Sequence, residues 1–304
     1  MQWRNFNTIA IAYLLLALSI NTGCSGLIAS AAADAVAGTG LAYASDDDPQ
    51  LVRAAIPFGL KTIESLLEKS PNDPKLLLAA ASGFTQYAYA FVQFDAERSI
   101  DNAPNVADKL FSRARKLYLR ARHYGLRGLE AMHPGFTDEF AKDRKTALAT
   151  LSKQDVPFIY WTAVAWAAQI SISKDDLVLV ADLTSVESLM NQALLLDESY
   201  NYGAIHEFYI TYEGGRSEAS GGSMVRAKKH FERTMQLCQD NKLSPLVTYA
   251  EVISVQTQNR QEFLALIEQV LSFDVNKDLR FRLNNVIAQE RALWLKERVT
   301  DLFL

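Results

Sequence analysis

The sequence predicts an all-α fold, built as a tetratricopeptide-like bundle or solenoid of helical repeats. Apolar residues recur at helical spacing through most of the 304 residues, and no stretch shows convincing strand alternation flanked by turn residues. Helix-turn-helix units also recur. The turns at Asn241 and Asn276 repeat at close to the tetratricopeptide period of about 34 residues.

The amino terminus predicts an exported, lipid-anchored protein. Arg4 precedes an uncharged, mostly apolar run over residues 9–20, which is too short for a membrane-spanning helix of about 20 residues. Asn21-Thr22-Gly23-Cys24 then resembles a lipobox that would make Cys24 the lipidated first residue of the mature chain. Simple cleavage is the alternative, because a lipobox prefers leucine where this sequence has asparagine. Ser25 favours the outer membrane, so we expect a protein on the periplasmic side of the envelope, held to the membrane by its lipid anchor only.

Residues 1–24 are therefore a signal peptide, 25–45 a tether with a marginal helix, and 46–304 a single helical-repeat domain. Asp46-Asp47-Asp48-Pro49 places acidic residues and proline where they favour a helix start. This predicts helix 51–69, which Pro57 should bend. The turn Ser70-Pro71-Asn72-Asp73-Pro74 leads into helix 75–96, which is rich in alanine and aromatic residues.

Two long helices are predicted next, at 106–129 and 157–171. The first has an apolar seam that should pack along its whole length, and the second is rich in tryptophan and alanine. The short run 177–180 is assigned to a helix. The seam consists of Leu110, Ala114, Leu117, Ala121, Tyr124 and Gly128.

Three further helix pairs complete the chain. The stretch Gly214 to Gly222 is interpreted as a flexible loop that lengthens one repeat. The predicted pairs are 183–196 with 200–212, 223–239 with 246–256, and 261–273 with 279–298.

Composition excludes several classes of function. A net charge of -4 gives no reason to expect nucleic acid as a partner. Cys238 is the only cysteine besides Cys24, so no intramolecular disulfide is available to a lipidated chain, and a buried structural thiol is expected. The four histidines are too scattered for a metal site. No phosphate loop, dinucleotide fingerprint or nucleophile elbow is present, so we predict neither catalysis nor a cofactor.

One helix face is strongly basic. The stretch 109–127 contains seven basic residues and no acidic one. Neighbouring acids such as Asp138, Glu139 and Asp143 would offset this charge, or the face would bind an acidic protein or phospholipid headgroups. The candidates for partner binding are Arg113, Lys116, Arg120 and Arg127.

Aromatic residues concentrate in two predicted helices. They would either fill the seam between repeats or line an apolar cavity for a hydrophobic or amphipathic small molecule. The cavity candidates are Tyr160, Trp161, Trp166, Tyr202, His206, Phe208, Tyr209 and Tyr212.

The order of several short motifs resembles the T-component lipoproteins of TRAP-type (tripartite ATP-independent periplasmic) transporters. The resemblance implies a tetratricopeptide-like homo-oligomer, typically a trimer, that binds the extracytoplasmic solute receptor of the transporter and contains an apolar channel or pocket. A tetratricopeptide-like scaffold for envelope assembly is the alternative. The motifs are Tyr160-Trp161, Ala165-Trp166, Gly203-Ala204-Ile205-His206, Phe208-Tyr209, Lys229-His230-Phe231-Glu232 and Tyr249-Ala250-Glu251.

Overall fold

The structure, a computed structural model, describes residues 40–304 and confirms the all-α class. No strand occurs within this range, and none of its helices is both long and apolar enough to cross a bilayer. The tetratricopeptide-like repeat arrangement stays a prediction. The predicted signal peptide, Cys24 and most of the tether lie outside the described residues.

The helices fall into two halves along the chain. The first contains α1 (Gly40–Ala44), α2 (Pro49–Lys69), α3 (Pro74–Tyr87), α4 (Phe94–Ser99), α5 (Pro104–Met132), α6 (Phe136–Lys142), α7 (Arg144–Ala149) and α8 (Val156–Ser171). The second contains α9 (Leu177–Ala181), α10 (Leu183–Leu196), α11 (Tyr200–Gly214), α12 (Met224–Cys238), α13 (Ser244–Tyr249), α14 (Arg260–Leu271), α15 (Arg282–Glu297) and α16 (Val299–Leu302).

Two aspartate-proline pairs start the first long helices. The Asp48 carboxylate accepts hydrogen bonds from the first free N–H groups of α2, and Asp73 does the same for α3. Proline follows each aspartate, at a position whose N–H would have no partner within the helix. Pro57 lies inside α2 without ending it.

Two π-helical turns interrupt what the sequence predicts as regular helix. Ala88–Gln93 lies between α3 and α4, and Ala250–Ser254 follows α13. A π turn holds an extra residue per turn, so it rotates the side chains beyond it relative to an α-helix. Apolar spacing does not reveal such an insertion, because both flanking segments keep their helical period.

The short helices α6 and α7 were not predicted. Gly135 precedes α6 with φ +89°, and the Asp143 carboxylate caps α7 by accepting from backbone N–H groups. Helices of seven and six residues are too short to show a helical period clearly.

The large core forms where α5 packs against α3 and α8. Three seam residues, Ala114, Ala121 and Gly128, are buried as predicted, and the other three pack against the core while partly exposed. Small residues let α5 approach α8 closely. A methyl group on Gly128 would lie 1.9 Å from the Phe158 ring.

A smaller core joins α13, α14 and α15, and Phe231 lies against it. Cys238, at the end of α12, is buried as expected.

The start of α11 departs from the predicted continuous helix. Asn201, Tyr202 and Gly203 have φ of 45°, 58° and 84°, which places three successive residues in the left-handed region. A non-glycine residue there is strained. This turn reorients Tyr202 relative to the regular helix that follows.

The last long helix returns to the beginning of the described chain. α15 packs against α1 and α2. Arg282 pairs with Asp47, Arg298 pairs with Asp101, and the Trp294 ring meets Phe94 edge-on at 5.6 Å. These contacts join the end of the described chain to its first third.

Candidate functional site

A charged cluster lies where α15 meets the two π-helical turns. Arg291, on α15, donates to both carboxylate oxygens of Glu251, at 2.8 and 2.7 Å. A third hydrogen bond of 2.8 Å runs from Arg291 to Glu97 on α4. The guanidinium also stacks on the Phe94 and Trp294 rings, 5.2 and 5.6 Å from their centroids. Charge-assisted bonds of this kind fix the arginine in a single position.

A second chain of hydrogen bonds extends the cluster to α5. The Tyr118 hydroxyl donates to Gln93 at 2.6 Å, and the Gln93 amide donates to Glu97 at 2.8 Å. Tyr118 is fully buried, and burial raises its pKa well above the ordinary value. Gln93 ends the first π turn, so that turn connects Tyr118 with Glu97.

Tyr89, in the first π turn, lies near this cluster. Its side chain is 51% accessible, yet burial raises its pKa to about 12. The charges of Arg291, Glu251, Glu97 and Glu207 also act on its hydroxyl.

Tyr160 faces the same region from α8. Burial raises its pKa well above the ordinary value, and Glu207, Tyr200 and Tyr89 add to this effect. Its ring lies 5.0 Å from Trp161 and 5.3 Å from Tyr200. The predicted cavity residue Tyr160 thus packs between Trp161 and Tyr200, and the charge of Glu207 acts on its hydroxyl.

A surface cleft of about 630 Å³ leads to this cluster. Gln93 and Glu97 belong both to the cleft and to the hydrogen-bonded chain around Arg291. The cleft is lined by Gln93, Glu97, Asp108, Phe111, Arg115, Ser171, Ile172, Lys174 and Asp175.

Trp166 has different neighbours. It is buried, and the Arg122 guanidinium stacks over its ring at 4.6 Å. Asp182 lies 3.9 Å from that guanidinium. The surroundings of Trp166 thus join α5, α8 and the start of α10, and they match the alternative of packing between helices.

The aromatic residues of α11 form a compact group with α12. The Phe208 ring stacks on Tyr212 at 5.5 Å, and the Tyr209 ring stacks on His230 at 4.7 Å. The Tyr209 hydroxyl donates to Asn191. Both tyrosines are nearly buried, so most of this group packs between helices.

His206 and His230 are paired within that group. Their Nδ1 atoms are 2.8 Å apart, so one nitrogen donates and the other accepts. The Nε2 atom of His206 lies 3.2 Å from the Glu198 carboxylate. Burial lowers the pKa of His206, and burial together with the neighbouring His206 lowers the pKa of His230 to about 4.

Tyr202 lies apart from the other candidates. Its hydroxyl accepts from Arg280 at 3.1 Å, and its ring meets Phe281 edge-on at 4.8 Å. The left-handed turn places it against the segment before α15.

The basic face of α5 does not pair with the acids expected from the sequence. Its long side chains stack on aromatic rings and reach other partners: Arg120 pairs with Glu64 at 3.3 Å, and Arg127 donates to the Pro71 carbonyl at 2.6 Å. Arg113 stacks over Tyr87 at 5.7 Å. Lys116 is exposed to solvent.

The sequence interpretation missed most of the interior cluster. Glu251 belongs to a motif quoted for the family resemblance, but no role was assigned to it. Arg291, Glu97 and Tyr89 carried no signal, because each lies alone in a helical pattern. Within residues 40–304, no group of three or more histidine, cysteine, aspartate or glutamate side chains converges as a metal site would require.

Comparison with known proteins gives two matches. The sequence model of the TRAP transporter T-component family matches residues 45–303. An uncharacterized protein of Treponema pallidum (strain Nichols) is 30% identical over 266 residues, covering 86% of this chain and 82% of that protein.

Proposed function

Because the chain belongs to the TRAP transporter T-component family, we propose that it is a periplasm-facing, lipid-anchored accessory of a TRAP-type solute uptake system. Membership gives the accessory role in such a transporter, and this family is not an enzyme family. In this proposal the chain binds the extracytoplasmic solute receptor and takes a small ligand into its interior.

The cleft of about 630 Å³, whose lining residue Glu97 also binds Arg291, is the observation that carries the ligand part of the proposal. A cleft that reaches buried, convergent polar groups is the usual form of a small-molecule site. The lining combines the Phe111 ring and the Ile172 side chain with polar and charged groups, so it suits an amphipathic molecule better than a purely apolar one.

The basic face of α5 supports the receptor part. Arg113, Lys116 and Arg120 are all exposed on it, and a basic surface speeds association with an acidic partner and orients it. Lys116 is the best of the three for testing receptor binding by substitution. Arg113 and Arg120 also contact aromatic rings of α3, so replacing them would change packing as well as charge. Arg127 anchors the same face to the turn between α2 and α3.

The resemblance also supports a homo-oligomer, a trimer in the family's usual form. Light scattering combined with gel filtration of the mature chain would measure its mass in solution.

Receptor binding is tested by co-elution. The purified mature chain is mixed with a TRAP-type solute receptor from the same organism, and we expect one complex on gel filtration. Lys116→Glu should weaken the complex several-fold, and adding Arg113→Glu should weaken it further. Lys228→Glu, an exposed substitution on α12, is the matched control and should have no effect. Capture of extended peptides with no receptor complex would favour the scaffold function instead.

A further inference from the structure

The outer side of α2 carries an apolar face. Leu51 is 60% exposed and Phe58 is 80% exposed, and their spacing of two helical turns places both side chains on the same side of the helix. Ala54 and Ala55 lie between them and are also exposed. We call these four residues the apolar α2 face. A contiguous apolar surface on a folded protein marks a site of interaction.

Few polar groups interrupt this face. Arg53 points away from it and pairs with Asp95 on α4. Farther along the same side of α2, the Thr62 hydroxyl donates to the Phe58 carbonyl at 3.0 Å, and the Ser65 hydroxyl donates to the carbonyl four residues before it at 3.1 Å. These hydroxyl donors are satisfied within the helix, so this side of α2 suits apolar surroundings better than a charged partner.

The apolar α2 face lies beside the point at which the described chain begins. α1 packs against α15 and against the 3₁₀ turn Leu279–Phe281 that precedes α15. Tyr43 of α1 also reaches α2 at Gly59, where its hydroxyl lies 4.0 Å from the position that an added methyl group would take. Gly59 directly follows Phe58, and Leu279 is itself 49% exposed. Two of the elements that hold α1 therefore carry exposed apolar side chains.

The length of chain before α1 limits how far the domain can lie from the membrane. Cys24, the proposed lipidation site, precedes Gly40 by 16 residues, which span at most about 55 Å when fully extended. Linking two binding elements over a short distance raises the effective concentration of the second to about the millimolar range. A weak apolar contact with the bilayer is then sufficient, because the anchor has already brought the two surfaces together.

The basic face of α5 stays clear of this contact. Glu64 pairs with Arg120 of that face at 3.3 Å. On α2, Glu64 follows Phe58 by six residues, which places their side chains about 120° apart around the helix axis. A bilayer against the apolar α2 face therefore leaves the basic face of α5 accessible to the solute receptor.

We infer that the apolar α2 face docks on the surface of the lipid bilayer that carries the anchor, with Leu51 and Phe58 inserted at the boundary between headgroups and acyl chains. An apolar helix face that lies in a membrane surface is buried about 5–10 Å into that boundary. The inference rests on the lipid anchor of the proposed function, and it adds the orientation in which the anchor holds the domain.

A fluorescent label between the two large side chains tests the docking. Ala55→Cys is labelled with the environment-sensitive dye NBD in the lipid-anchored chain, where Cys24 is blocked by its lipid and Cys238 is buried. The chain is reconstituted in vesicles of phosphatidylethanolamine and phosphatidylcholine that contain a doxyl-labelled lipid as quencher. The NBD emission should shift to shorter wavelength, and the doxyl lipid should quench it. Emission that is neither shifted nor quenched would overturn the inference.

A second substitution shows whether the face itself makes the contact. Phe58→Gln in the chain labelled at residue 55 should restore most of the fluorescence, because the polar side chain no longer inserts among the lipids. Phe58 is mostly exposed, so this change should leave folding intact. Undiminished quenching would mean that the tether alone brings the label to the lipids, and the docking would be wrong.

Ala181→Cys is the matched control for the labelled position. This exposed alanine lies on α9 beside Leu177 and Val178, which are 78% and 82% exposed, so it shares the apolar surroundings of Ala55. A label at residue 181 should not be quenched. Equal quenching at residues 55 and 181 would contradict docking through α2.

A second copy of the chain is the competing occupant of the apolar α2 face. In that case the emission of the label at residue 55 would shift with protein concentration when no lipid is present. This result would also overturn the inference.

The anchor and the docking are measured separately. Flotation of the vesicles reports the anchor, because a chain without it does not float. Such a result would contradict the lipid-anchored function and the docking with it. A chain that floats but shows no quenching at residue 55 keeps the anchor and contradicts the docking alone.

Discussion

Single residues decide how closely α5 and α8 pack. At Gly128, an added methyl group would overlap the Phe158 ring, and at Gly125 it would lie 2.1 Å from the Thr162 hydroxyl oxygen. Both glycines are buried on α5. Their lack of a side chain, rather than any unusual backbone angle, is what the packing requires.

Gly128→Ala should therefore reduce the free energy of unfolding by about 1–3 kcal/mol, because a well-packed core resists added volume. Gly59→Ala is the matched control, since the nearest atom to its new methyl group is 4.0 Å away. Alanine favours a helix over glycine, so this control should stabilise α2 by about 0.5–1 kcal/mol. Urea unfolding measures both changes. Equal effects of the two substitutions would contradict the close crossing of α5 and α8.

The histidine pair should make stability depend on pH. Burial lowers the pKa of His206, and lowers that of His230 to about 4, while an unfolded histidine titrates near about 6.5. Between these values the unfolded chain binds protons that the folded chain does not. Stability should therefore be highest above pH ~6.5 and fall as the pH decreases towards ~4.

Urea unfolding at several pH values tests this. Carboxylates titrate over part of the same range, so the wild type is compared with His230→Gln, in which the decline should be shallower. Identical pH dependence in the two proteins would rule out the pair as the source.

Substitutions of Tyr209 and Trp161 distinguish residues that pack between helices from residues that would face a cavity. Tyr209 is buried, donates to Asn191 and stacks on His230, so Tyr209→Leu should cost about 1–3 kcal/mol. Trp161 is only partly buried beside Tyr160, so Trp161→Leu should cost less than about 1 kcal/mol, because a wall residue has fewer packing partners. Thermal unfolding of both variants checks this order, and a larger loss for Trp161→Leu would reverse the assignment.

At the scale of elements, the two π turns and α15 together build the interior cluster. The first turn contains Tyr89 and Gln93, and the second contains Glu251. π turns are often retained at functional sites because they redirect side chains that a regular helix would place elsewhere. Arg291 on α15 connects the two turns through α4.

Arg291→Met should cost about 3–5 kcal/mol, because it leaves two carboxylates without their cation. Arg298→Met is the matched control, at the residue that directly follows α15. Its pair with Asp101 is more exposed, so its loss should cost about 1 kcal/mol or less. Adding Glu97→Gln and Glu251→Gln to Arg291→Met should restore much of the stability, since the uncompensated charges are then absent. No recovery would mean that the arginine acts through packing on Phe94 and Trp294.

At the scale of the whole molecule, α15 packs against the first two described helices and so joins the end of the described chain to its beginning. The lipid anchor concerns the part of the chain that precedes these residues. If Cys24 is acylated, Cys24→Ser should shift the protein from the membrane fraction to the soluble or uncleaved form, and labelling with a fatty-acid analogue should disappear. Persistent labelling of the variant would disprove the assignment.

The sequence by itself determined the helical class and most helix positions. The predicted helix 183–196 coincides with α10, and the aspartate-proline start of α2 is found as predicted. These features are local, because apolar periodicity and capping depend on residues within a few turns of each other. The aromatic candidates were found because aromatic residues are concentrated in two predicted helices. That concentration did not show which of them lie together in the structure.

Only the tertiary structure decided the interior cluster. Arg291 and Glu97 are separated by 194 residues in the chain, and each lies in a helix whose pattern is ordinary. Periodicity reports which face of a helix is apolar, but it carries no information about which distant polar side chains meet. The π turns and the left-handed residues at the start of α11 further change which side chains come into contact. A single irregular turn redirects the side chains beyond it, while the apolar period on each side of the turn stays the same.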